Sequence, residues 1–188
     1  LGGGIGIQYV EEDDPPKIEE VMTRVVKRLN TAVKSYGLAP PKLIIEPGRS
    51  LVGQAGLTLY TVGTIKKEPG SPSHIFVDGG MSDNPRPVMY QSSYTFKIAT
   101  KALEAEGSTY HIEGKFCESG DFLGKSIPLP LVNEGDVLVV FGTGAYNYSM
   151  SSNYNRYCKP AMIMVKKGGS HILVERETYT DILRNDRW

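Results

Sequence analysis

Apolar residues recur at Ile18, Val21, Met22, Val25, Leu29 and Val33, the spacing of one face of an α-helix. The helix is expected to start after Asp13-Asp14-Pro15-Pro16. Asp14 can cap it, and proline suits the first turn, where its missing N–H is not needed. Gly37 closes the helix, Lys34 lies near the negative end of its dipole, and Pro40-Pro41 stops any continuation. Leu43-Ile44-Ile45 is a short apolar run of the buried-strand type that ends on Glu46. Residues 1–49 therefore predict loop, helix, buried strand and loop. That is one αβ unit of a parallel α/β architecture, with functional loops at strand ends.

After about residue 56 the period shortens to that of strands. Leu57–Lys66, His74–Asp78, Tyr94–Thr100, Thr109–Gly114, Val137–Phe141, Ala161–Lys166 and His171–Glu175 are short and β-rich. Turn formers separate them at Pro69-Gly70-Ser71-Pro72, Asn133-Glu134-Gly135-Asp136 and Gly168-Gly169. Val165–Leu173 predicts a hairpin, and Thr178–Leu183 a closing helix capped by Thr178. The expected fold is α/β plus all-β. Residues 1–56 form an α/β portion, and residues 57–188 a β-rich domain of sandwich or barrel type.

Composition narrows the class. Of 188 residues, 40% are hydrophobic and 22% charged, the balance of a soluble globular protein. A formal charge of +0 and the lack of a basic run give no reason to expect nucleic acid or a membrane surface as partner. No apolar stretch has the length of a membrane span, and the first residues lack the layout of a signal peptide. The two cysteines, Cys117 and Cys158, imply no disulfide framework, which fits a reducing cytoplasm. Leu1-Gly2-Gly3-Gly4 has neither a methionine nor a strand before it, so the chain reads as a piece of something longer.

Five segments could carry chemistry. The glycines of Gly2-Gly3-Gly4-Ile5-Gly6 let backbone N–H groups converge on a phosphate, or simply make a tight turn. In Glu46-Pro47-Gly48-Arg49, a carboxylate at a strand end needs a positive partner, and Arg49 offers a fork for phosphate or carboxylate. A Glu46–Arg49 ion pair is the simpler alternative. Arg86, between Pro85 and Pro87, is expected to be extended and either aimed at an anion or solvated. Cys117-Glu118-Ser119-Gly120-Asp121 sets a thiol beside two acids; a lone cysteine also suits a small buried hydrophobe. Scattered His74, His111 and His171 are not at zinc-finger spacing and read as structural. Gly142–Met150, rich in small and tyrosyl residues, suits a ligand-facing loop or a tight connection.

The order of these segments says more than any one of them. Gly-Gly-Gly, Glu-Pro-Gly-Arg, Asp-Gly-Gly-Met, Cys-Glu-Ser-Gly-Asp, Gly-Ala-Tyr and the terminal Arg176-Glu177-Thr178 resemble, in sequence and approximate spacing, the carboxyl-terminal half of diaminopimelate decarboxylases. These are fold-III enzymes dependent on pyridoxal 5'-phosphate, related to ornithine and arginine decarboxylases.

The resemblance implies that residues 1–56 are the last βα units of a cofactor-binding (β/α)8 barrel, ahead of a Greek-key β-domain. It implies phosphate binding by Gly4, Gly48 and Arg49, Glu46 facing the pyridine nitrogen, and Tyr146 near both cofactor and substrate. Arg49, Arg86, Tyr90 and Tyr146 resemble the set that holds the substrate, with Arg49, Arg86 and Tyr90 on its distal carboxylate and Glu118 on its ammonium. Cys117 resembles the cysteine that returns a proton to the substrate carbon after carbon dioxide leaves, from a loop donated across a two-fold homodimer. The implied reaction converts meso-2,6-diaminopimelate to L-lysine and carbon dioxide, the last step of lysine biosynthesis. An ornithine- or arginine-type decarboxylase, or a non-catalytic binding homologue, is the alternative. No lysine here matches the family's cofactor-binding lysine, so the chain alone is expected to be inactive.

Overall fold

The computed structural model describes residues 1–187; Trp188, the last residue of the expected β-rich domain, lies outside them. Helix α1 spans Ile18–Ser35. The predicted stripe is its less exposed face, yet no α1 residue is buried. Asp14 does not cap it. The helix begins after Lys17, and no side chain caps it. The neighbouring Asp13 instead accepts the N–H groups of Tyr9 (2.9 Å) and Val10 (3.1 Å), closing the loop before the helix. Nor do Leu43–Ile45 form a strand. A strand needs a ladder partner, and among the described residues the 43–46 stretch has two long-range backbone bonds, Leu1 N to Ile44 O and Glu46 N to Gly2 O.

A six-stranded sheet follows: β1 (Leu57–Lys66), β2 (Ser73–Val77), β3 (Phe96–Ile98), β4 (Ser108–Glu113), β5 (Phe122–Leu129) and β6 (Val137–Phe141), in the order β3-β6-β1-β2-β4-β5. All pairs are antiparallel except β2 with β4. The sheet curls toward closure: a Cβ placed on Gly124 of edge strand β5 would stand 3.0 Å from Phe96 on edge strand β3. Strand β5 escapes the sequence pattern because Gly124 and Pro128 dilute it; as an edge strand it tolerates both. Tyr94–Thr100 shortens to β3, since a 3₁₀ turn takes Ala99–Lys101.

Alternation decides what fills the curl. Tyr60 and Val62 of β1, Ile75 and Val77 of β2, and Tyr110 and Ile112 of β4 point inward. Phe96, Ile98, Leu123, Leu129, Leu138 and Val140 complete the core from the other strands. Every second residue turned to one side is the geometry of a pleated strand.

The hairpin forms a separate two-stranded sheet, β7 (Met162–Lys166) with β8 (Gly169–Val174). Lys167 and Gly168 link it with φ of 51° and 78°, the two left-handed residues of a type I′ turn. Helix α4 (Tyr179–Leu183) is capped by Thr178, as the sequence predicts, and Asp181 returns the bond to complete a capping box. Among the described residues no helix is long and apolar enough to cross a membrane.

Candidate functional site

The glycine segment and the Glu46–Arg49 turn meet. Gly3 lies so close to the Glu46 carbonyl that a Cβ would stand 2.3 Å from it, a contact only glycine permits. Arg49 begins the short helix α2 (Arg49–Val52). The turn after α2 carries the Gly142–Tyr146 loop: Thr143 N donates to Gly56 O (3.0 Å) and Gly144 N to Gly53 O (2.9 Å). Gly56 and Gly144 touch backbone to backbone, leaving no room for a side chain. Tyr146 is left-handed (φ 62°), a conformation non-glycine residues hold only where the surroundings enforce it.

The result is a cleft of about 290 Å³ lined by Gly3, Gly4 and Ile5, by Glu46, Gly48 and Arg49, and by Tyr146. Gly4, Glu46, Gly48, Arg49 and Tyr146, separate in the sequence, share this one wall. Arg49 stands over the rings of Tyr146 (5.3 Å) and Tyr9 (5.8 Å). No salt bridge joins Glu46 to Arg49 among the described residues, and the buried Arg49 Nε has no partner.

Arg86 differs from its sequence reading. It is neither extended nor solvated. It starts helix α3 (Arg86–Tyr90), where Pro85 itself is helical and Pro87 fills a first-turn position that needs no N–H. Arg86 is 8% exposed and, among the described residues, has no carboxylate partner. Its Nε donates to Tyr94 Oη (3.0 Å) and one terminal nitrogen to Ser92 Oγ (3.2 Å). The guanidinium also lies 5.5 Å from the Tyr90 ring, 5.8 Å from Tyr9 and 5.9 Å from Tyr146. Two arginines thus flank the same two tyrosines, Tyr9 and Tyr146, and among the described residues neither is in a salt bridge. Tyr9 was not legible as a site residue, because nothing in its neighbours marks it.

Cys117 and Glu118 do not line the cleft. Cys117 is exposed, not buried as a small hydrophobe would be. Its N–H donates to Asn155 Oδ1 (3.3 Å), and Glu118 Oε2 accepts from Tyr154 Oη (3.0 Å). That bond to Glu118 is the main cause holding the Tyr154 hydroxyl above its ordinary pKa. Asp121, the last member of the segment, is a buried tie. Its carboxylate accepts the N–H groups of Met81 (2.7 Å) and Phe116 (2.8 Å). Burial pushes its carboxyl up, against the pull of those two donors. Asp83 is likewise raised by burial, although Tyr60 Oη donates to it at 2.6 Å. The Asp78–Asn84 loop and the Cys117–Asp121 loop are in this way locked to each other. Of the histidines, His74 is bound to Glu113 at 3.1 Å and paired with Glu68 at 3.5 Å, a structural arrangement away from the cleft.

A glycine-walled cleft that holds Arg49, with Arg86 set against the Tyr9 and Tyr146 rings outside its lining, suits an anionic cofactor or substrate. Residues 14–144 match the family model described as pyridoxal-dependent decarboxylase, C-terminal sheet domain, and the chain belongs to that family. Diaminopimelate decarboxylases are among its relatives. That of Bacillus subtilis (strain 168) is 50% identical over 186 residues, covering 99% of this chain and 42% of the relative. The crystal structure of diaminopimelate decarboxylase from M. jannaschii superposes with a TM-score of 0.92 at 36% identity, over 100% of this chain and 42% of that one. A co-complex of the M. jannaschii enzyme with L-lysine gives 0.90 at 37% identity, with the same coverage. The chain therefore spans less than half the length of the relatives it matches.

Proposed function

We propose that this chain supplies the phosphate-binding wall and the substrate-recognition loops of a decarboxylase that converts meso-2,6-diaminopimelate to L-lysine and carbon dioxide. In this reading residues 1–56 belong to a cofactor-binding (β/α)8 barrel and residues 57–188 to the β-rich domain. The observation that carries it is the convergence of Gly4, Glu46, Gly48, Arg49 and Tyr146 on one cleft. The unpartnered Arg49 Nε and the walls of Gly3, Gly4 and Gly48 fit the phosphate of pyridoxal 5'-phosphate. When bound, that cofactor supplies the electron sink for the pair released as carbon dioxide departs.

The chain's own groups hold and orient the cofactor and the substrate, while the lysine that carries the cofactor lies outside this chain. Backbone N–H groups at Gly4 and Gly48, with Arg49, hold the phosphate. Glu46 holds a proton at the pyridine nitrogen. Arg86 and Tyr90, with Arg49, receive the distal carboxylate of the substrate, Tyr146 lies beside cofactor and substrate, and burial of Arg86 without a salt-bridge partner among the described residues makes a dicarboxylic substrate the better occupant. Glu118 takes the distal ammonium, and Cys117 Sγ delivers a proton to the substrate carbon. Because Cys117 and Glu118 stand apart from the cleft, they serve the site of a second copy in a two-fold homodimer.

The test compares meso-diaminopimelate with L-ornithine in the full-length enzyme carrying this chain, with and without Arg86→Leu. We expect preference for diaminopimelate, and a KM raised about tenfold or more by the substitution, the worth of one charged hydrogen bond. Preference for ornithine in the unsubstituted enzyme would overturn the assignment.

A further inference from the structure

The terminal Arg176-Glu177-Thr178 motif has no task in this reaction, yet Glu177 is tied to the loop that carries Cys117 through one intervening turn. Glu177 Oε2 accepts from Asn153 Nδ2 at 2.5 Å and from the Lys159 N–H at 2.8 Å, while Glu177 N donates to Lys159 O at 3.2 Å. Asn153 Nδ2 also donates to Tyr157 O at 3.0 Å. Arg156 is paired with Asp186, further along the same terminal segment. Both shoulders of the Tyr154–Arg156 turn are thus fastened to the end of the chain.

Within that turn Asn155 and Arg156 are both left-handed, with φ of 51° and 60°. Two consecutive non-glycine residues keep that conformation only where their surroundings enforce it. The opposite side of the turn meets the cysteine loop residue by residue. The Phe116 ring stands edge-on to Tyr154 (6.0 Å) and to Tyr157 (5.2 Å). The Cys117 N–H donates to Asn155 Oδ1, and Glu118 Oε2 accepts from Tyr154 Oη.

We propose that the Tyr154–Arg156 turn, held from behind by Glu177, is a clamp that fixes the Cys117–Glu118 pair, with Tyr154 and Asn155 as positioning residues. Cys117 and Glu118 are exposed, so burial in this chain does not fix their side chains. A free glutamate side chain samples several rotamers, and one bound to a fixed phenol does not. Glu177 acts at one remove: its carboxylate keeps the backbone of the turn where Tyr154 and Asn155 can reach. The inference rests on the roles proposed above for Cys117 and Glu118.

The test has two arms. Amide hydrogen exchange is read at Cys117 in Asn155→Gly and Glu177→Ala. Glycine accepts the left-handed backbone freely and removes only the Oδ1 acceptor, whereas Glu177→Ala touches neither Cys117 nor Glu118. Exchange at Cys117 should quicken about fivefold in both, the worth of one ordinary hydrogen bond, with the global unfolding midpoint of Asn155→Gly unchanged. In the full-length enzyme, Tyr154→Phe should raise KM for meso-diaminopimelate about fivefold and leave kcat within about twofold. Unchanged exchange at Cys117 in both variants, or an unmoved KM in Tyr154→Phe, overturns the clamp. Decarboxylation of meso-diaminopimelate by the unsubstituted enzyme separately reads the functional assignment, so either idea can fail without the other.

Discussion

Truncating Asp121 to alanine should cost this fold about 3–4 kcal/mol. The carboxylate is 4% exposed and accepts two backbone N–H groups, from Met81 at 2.7 Å and Phe116 at 2.8 Å. A hydrogen bond to a charged group contributes about 1.5–3 kcal/mol, and a buried donor left without a partner costs about 1–3 kcal/mol. The two effects describe the same bonds and do not simply add, which sets the figure near the middle. The cradle around the carboxylate is equally specific: a Cβ on Gly114 would stand 2.0 Å from Asp121 Oδ2, and one on Gly80 2.5 Å from Oδ1. No other side chain refills that space. Equilibrium urea unfolding of the alanine variant should show the loss as a lower midpoint at constant slope. Asp121→Asn, which keeps one acceptor oxygen, should fall between alanine and the wild type. An alanine variant within about 1 kcal/mol of wild type would refute the reasoning, since the loss of even one such bond exceeds that.

Two other perturbations test the same frame. Burial raises the Asp136 carboxyl pKa, but its bonds from Lys101 and the Asn133 N–H outweigh burial and hold it below the ordinary value. The stability it contributes is therefore present above the unfolded pKa of about 3.9 and is lost as pH falls through the depressed folded value; unfolding of wild type and Asp136→Asn at pH 6 and pH 2 should show a gap that shrinks in acid, and a pH-independent gap would contradict it. Gly56→Ala places a Cβ 2.3 Å from Gly144 Cα and should lower thermal stability by about 1–3 kcal/mol, while Gly107→Ala, with nothing within 4 Å, should stay within about 0.5 kcal/mol; equal melting temperatures for the two variants would sink the argument.

Much of the architecture was legible because period and turn chemistry are local. The helix stripe from Ile18 to Val33, the strands around Leu57, His74, Thr109 and Val137, the Val165–Leu173 hairpin (its turn at Lys167-Gly168, one residue before the expected Gly168-Gly169) and the Thr178 cap all follow from nearest neighbours. The failures share a cause. Leu43–Ile45 has the composition of a buried strand, but a ladder requires a second strand, and composition cannot supply one. Strand β5 carries glycine and proline, which local propensity rejects and an edge position accepts. Arg86 sits between prolines that disfavour helix on paper, yet a proline early in a first turn does no harm.

The site divides in the same way. The motifs named Gly4, Glu46, Gly48, Arg49, Arg86, Tyr90, Cys117, Glu118 and Tyr146 as candidates, and their order pointed to a family. Residue types alone could not show that Asp121 is a tie while its neighbours Cys117 and Glu118 stay exposed, since that depends on which N–H groups arrive from residues 81 and 116. Nor could they single out Tyr9, which joins Arg49, Arg86, Tyr94 and the Gly142 loop only once the sheet has curled. The sequence by itself determined the local elements and the chemistry available, because dihedral preference, capping and charge belong to a residue and its neighbours. Only the tertiary structure decided which charges go unpaired and which loops share a wall, because pairing is set by distances between residues far apart along the chain.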